Sequence, residues 1–231
     1  MLTLSDPIRF RRGLSSTSLL LAPLVGLAAA AVAPPTSSNL TADLALISAH
    51  HSAFVANAVL EAAAWILFIP GVLGIVHLLR QRGVVLGHLG GVLAIVGMIS
   101  FVAESVIAQV TAVLARDAGH RALYAQAVSN MHHSPLAAFL LLALLGEIGL
   151  ILLAIATRRA RRAPSWVVPA VAVAVLADFA PLPNPFGLII SWLLLALAFG
   201  RIGWDIRATP DAEWQQPGDA APTPATAAVH V

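Results

Sequence analysis

Four carboxylates stand out because of what surrounds them: Glu61, Glu104, Glu147 and Asp178 each lie inside a long apolar run. Glu147 is the only ionisable group of PLAAFLLLALLGEIGLILLAIAT, which extends from Pro135 to Thr157. As a helix this run would span roughly 35 Å and put Glu147 near the midplane of a bilayer. An ionised carboxylate at that depth costs ~2.5–3.5 kcal/mol on insertion scales, so such a group faces the bundle interior or water. Either the acid keeps its proton, or it lines a water-filled opening. Both states suit the handling of a proton or a cation. The plainer role is a protonated carboxyl hydrogen-bonded to a neighbouring helix. Helical rise puts Glu61 roughly 10 Å below the outer boundary, Glu104 in the outer half and Asp178 within a turn of the outer end. All four candidates for substrate or proton binding therefore lie at the middle or toward one side, and no arginine shares the hydrocarbon with them.

The histidines suggest metal chemistry more weakly. His50, His51, His132 and His133 fall in external connections, and either His132 or His133 with His50 or His51 and Glu61 would make a ligand set that zinc accepts. No HExxH pattern and no pair of histidines four residues apart is present to make such a site specific, so solvated loop histidines are the simpler reading. His51 and His77 would sit roughly 39 Å apart at opposite ends of one helix, which excludes two haem levels within the core. With no cysteine there is no disulfide, thiolate nucleophile or thiol relay. Ser129 to His133 completes no nucleophilic triad, no glycine-rich phosphate loop occurs, and neither a cofactor nor a catalytic residue is expected.

The elements that must position these acids are membrane helices. Apolar residues make up 59% of the 231, charged residues only 10%, and mean hydropathy is +0.87. Soluble domains carry ~25% charged residues, so lipid is the solvent here. Spans are expected at about 14–33, 54–79, 84–108, 135–157, 166–180 and 186–203. They would form one all-α bundle of six transmembrane helices with both termini cytoplasmic, preceded by a basic segment over residues 1–13 and followed by a disordered tail from 205 to 231. Ala31-Val32-Ala33 has the form of a signal cleavage site, but the apolar region is long for a signal peptide and Pro34 follows, so an uncleaved span is favoured. The third run continues to about Ala115, roughly 48 Å, so it tilts or its last turns, from about Gln109, stand outside the bilayer. Every one of the 13 basic residues is an arginine, and on this layout only Arg116 and Arg121 are external. That bias explains the high pI as orientation chemistry and argues against a nucleic-acid-binding face.

Small residues mark helix contacts. Gly87 and Gly91 form a GxxxG, and Gly90, Ala94 and Gly97 make a second stripe, suited to packing within the chain, to a homo-oligomer or to a partner in a membrane complex. A basic N-terminus, APP after the first span, then HHSAFV, PGVLGIVHLLRQRG and GHLGGVLAIVG together resemble the small six-span actinobacterial membrane proteins of unknown function. The resemblance covers about residues 14 to 204, implies six helices and supplies no catalytic residue. Two functions are expected ahead of others: a small carrier or accessory permease with an outward-facing acidic cavity, and a structural or sensory subunit of a membrane complex. Loss of transport on neutralising Glu147 and Glu61 would favour the first; recovery of a partner complex would favour the second. An intramembrane enzyme with Glu or Asp as general acid ranks below both, because such pockets are usually aromatic and only 6% of this chain is.

Overall fold

Asp6 starts the first helix, its side chain accepting hydrogen bonds from the backbone N–H groups of Ile8 and Arg9, with Pro7 at the opening position where its missing N–H costs nothing. Helix α1 runs Pro7–Val32. The rest of the computed structural model, which describes residues 6–132, 134, 138–180 and 185–215, is also helical. It comprises α2 (Leu40–Ala49), α3 (His51–Leu78), α4 (Val84–Leu114), a 3₁₀ turn at Ala118–His120, α5 (Arg121–His132), α6 (Ala138–Arg159), α7 (Val167–Phe179), α8 (Phe186–Ala208) and the short α9 (Asp211–Gln215).

Five of these helices, α1, α3, α4, α6 and α8, are long and apolar enough to cross a membrane, which corrects the expectation of six. The run expected as the fifth span is α7, whose 13 residues rise only about 20 Å against a hydrocarbon core of about 30 Å. The helix stops because Ala180 is extended, with φ −69° and ψ 142°, as the residue before a proline prefers. Pro181 to Asn184, read as a compact turn, lie outside the described residues, as do His133 and Pro135 to Ala137.

The bundle is layered around α1, which packs between α3 and α8, while α4 packs on α3 and α6, and α7 lies along α8. Leu19, Phe68, Val72, Ile75, Leu153, Phe199 and Ile202 make the buried interior. Val85, Val92, Leu141, Leu176 and Leu197 on the outward faces are equally apolar and exposed. A helix apolar on all sides is stable only with lipid at its back. Since lipid tails are as apolar as leucine, close backbone approach holds the helices together. A Cβ added at Gly71 would meet Leu19 at 2.6 Å, and one at Gly74 would meet Ser15 at 2.3 Å. The Ser16 hydroxyl donates to the Gly203 carbonyl at 2.9 Å, and the Asn57 amide to the Ala29 carbonyl at 3.0 Å.

The GxxxG glycines are occupied inside the chain. Gly87 packs on Leu79 and Gly91 on Val76, both of the α3 segment, while Gly90 faces Gly149 and Gly97 faces Gly146 of α6. All four are buried within the chain, so of the roles expected for this stripe the one seen is packing within the chain, as the α3–α4–α6 seam.

The two ends of the bundle differ. At one, Leu44 and Ile47 of α2 close over Ala112 and Ala115 at the end of α4 and Ala125 of α5, a small core separate from the main one. Stretches read as polar connections are thus a helical cap, and the long α4, about 46 Å, reaches into it. The other end is rich in arginine. There Arg9 and Arg12 pair with Asp211 at 3.1 and 2.6 Å, and Arg162 pairs with Glu213 at 2.6 Å. Trp214 is buried against His77, ring centroids 4.6 Å apart. The ordered chain therefore continues past Asp205, where a tail was expected, through α8 and α9, and its first and last described residues meet at one end.

Candidate functional site

Glu61 is carried by α3, Glu104 by α4, Glu147 by α6 and Asp178 by α7, so four helices contribute one acid each. The seam between α4 and α6 sets the position of Glu147. Gly97 and Gly146 are so close that a Cβ on Gly97 would lie 2.2 Å from the Gly146 Cα, and Glu147 follows directly. Its side chain is enclosed, with 3% of the residue exposed. Glu61, Glu104 and Asp178 are half-buried.

The shortness of α7 changes where Asp178 sits. Both α6 and α7 meet at the arginine-rich turn, and helical rise from that turn puts Glu147 and Asp178 at about the same height, ~17 Å in. Asp178 is therefore level with Glu147 and not near the far boundary, as a full crossing would have placed it. The four candidates are thus contributed by four different helices, with Asp178 and Glu147 sharing one level. Among the described residues none of the four is in an ion pair; the arginine pairs all belong to the opposite end.

Beneath two of the acids lies an aromatic layer. Trp65 stacks on Phe101 at 4.4 Å and 9°, leans on Trp192 at 4.8 Å, and neighbours Phe68, which meets Phe199 edge-on at 4.9 Å. Trp65 follows Glu61 by four residues and Phe101 precedes Glu104 by three, so each ring is one turn from an acid on the same helix face. That spacing was the available signal. Trp65 is 4% exposed, yet among the described residues its indole N–H has no hydrogen-bond partner, and neither has the buried Oε1 of Glu104. A buried donor and acceptor left unpaired each cost about 1–3 kcal/mol, so their presence in one layer needs a reason.

The histidine candidates do not join this group. His50 and His51 lie at the α2–α3 junction, His51 with Nδ1 buried and unbonded. His132 ends α5, and His133 lies outside the described residues. Among the described residues no three His, Asp or Glu side chains come together closely enough to hold a metal ion. In the cap, His120 bonds Asp117 at 2.8 Å and holds that carboxyl below the usual carboxylate range.

Two cavities among the described residues, of about 490 and 390 Å³, both open at the arginine-rich end and touch none of the four acids.

Membrane-length helices with lipid-facing apolar sides around gathered acids define a multi-pass integral membrane protein. Compared with protein-family models, curated proteins and solved structures, the chain has no match in any of the three.

Proposed function

We propose that this protein carries a proton or an organic cation, using Glu61, Glu104, Glu147 and Asp178 as one anionic binding group. The observation that carries the reading is that four apolar helices each contribute one acid, with no basic partner to any of the four among the described residues. Four carboxyls in a low-dielectric interior cannot all be charged without a compensating cation, so the group binds positive charge or retains protons. An aromatic ring lies one turn from each of Glu61 and Glu104, and aromatic side chains beside an anionic group favour an organic cation, which a free ring face attracts by about 0.5–2 kcal/mol. The cation enters from the cap end. The arginine-rich end faces the cytoplasm, because basic residues beside spans are retained there, and the start of α1 meets α9 at that end.

Uptake of a lipophilic cation and proton flux in proteoliposomes test this. Glu147→Gln with Asp178→Asn abolishes saturable uptake or flux in the protein that carries cations. Unchanged uptake and unchanged proton flux in that folded double variant would overturn the assignment.

A further inference from the structure

We infer that the cavity at the arginine-rich end is a binding site for a phosphate group presented by an anionic lipid. The cavity, of about 490 Å³, lies between the turn after α6 and the end of α8 and is lined by Arg161, Arg162, Arg201, Asp205 and Glu213. Two of its arginines are neutralised by the protein: Arg162 by Glu213 at 2.6 Å and Arg201 by Asp205. Arg161 has no such partner among the described residues and gives the cavity its net positive charge.

The backbone at Arg161 makes that charge conspicuous. The turn closes α6 with the Arg162 N–H donating to the Thr157 carbonyl and the Arg161 N–H to the Arg158 carbonyl, both at 2.9 Å. This six-to-one and five-to-two pattern places a left-handed residue at the stop, a place glycine usually fills. Here it is Arg161, with φ 59°, the one described residue other than glycine with positive φ. The turn accepts a strained backbone and sets a guanidinium at the rim of the cavity. Guanidinium groups match phosphate oxygens in a two-pronged fashion.

Depth decides which phosphate. Trp166, two residues after the lining Pro164, and Trp204, just before the lining Asp205, are 44% and 63% exposed. Exposed tryptophans beside spans settle at headgroup level. Basic pockets between helices on the cytoplasmic side receive anionic headgroups in the same way. A second cavity on the other side of the turn, lined by Arg158, Arg159, Ile155 and Val168, sets two more arginines against apolar wall, as a lipid with a charged head and acyl chains requires.

The test is thermal unfolding of the full chain in neutral detergent with added phosphatidylglycerol, phosphatidylcholine or inorganic phosphate. Phosphatidylglycerol raises the midpoint saturably and phosphatidylcholine does not. Arg161→Gly suits the left-handed backbone, so the lipid-free midpoint stays level or rises, while half-saturating phosphatidylglycerol increases about fivefold. A saturable shift with inorganic phosphate alone, lost in Arg161→Gly, upholds the phosphate site and overturns its lipid source. Equal response to the two lipids, or an Arg161→Gly curve superimposable on that of the unsubstituted chain, overturns the site.

Discussion

Gly97 has no room for a side chain, because a Cβ there would fall 2.2 Å from the α-carbon of Gly146, backbone that cannot swing aside. Gly97→Ala forces α4 away from α6 at the level of Glu147. It should cost about 1–3 kcal/mol, read as a lower unfolding midpoint in detergent. Gly200→Ala is the matched control. Its added Cβ would meet only Leu20 at 3.6 Å, ordinary contact, and alanine is the better helix former by roughly 1 kcal/mol, so the midpoint should hold or rise. A second residue-scale prediction concerns pH. Asp117 is held below its ordinary range chiefly by the hydrogen bond from His120, and it also accepts from the Gly119 N–H in the 3₁₀ turn. A carboxyl lowered on folding contributes its stability above the ordinary carboxylate value and loses it as pH falls through the lowered one. Amide exchange in α5 should therefore accelerate on acidification below about pH 4, and Asp117→Asn should remove that dependence.

Among the elements, α7 and α9 carry most of the consequences. Trp214 anchors α9, buried beside His77, whose ring also bonds the Trp214 carbonyl at 2.9 Å. Trp214→Ala should cost roughly 3 kcal/mol and open Arg207 to trypsin, measured as faster cleavage with the helical content of the bundle unchanged. This latch was hidden from the sequence because Pro, Ala, Thr and Gln after Asp205 read as a solvated tail, and one tryptophan does not reveal what it will pack against. The long spans were legible, since an apolar run the length of a bilayer has few other uses. The short α7 was not. Its apolar run with Pro169 at the start looks like a span, and only the helix end at Phe179 shows it to be incomplete. The acids were legible as expensive residues, but their meeting depended on that shortness. The aromatic layer depended on which turns of α3, α4 and α8 face one another, which hydropathy does not encode.

At the scale of the molecule, apolar helix faces turn both inward and outward, and polarity is confined to the two ends and to one internal group of acids. The glycine seam is filled by the chain's own helices. The ends themselves can be told apart by labelling, because the chain has no native cysteine. Cysteines introduced singly at Ser37, beside the cap, and at Arg82, in the α3–α4 turn, should react with membrane-impermeant reagent from opposite sides of the membrane. Labelling of both from one side would contradict the bundle's orientation.

Equilibrium binding of tetraphenylphosphonium to the purified protein tests the central claim most directly, since it requires neither transport nor orientation. The gathered acids predict saturable binding that weakens by about tenfold or more in Glu147→Gln with Asp178→Asn, and by a smaller factor in Trp65→Leu. Binding of equal affinity in all three proteins would mean that the four carboxyls do not act as a cation site.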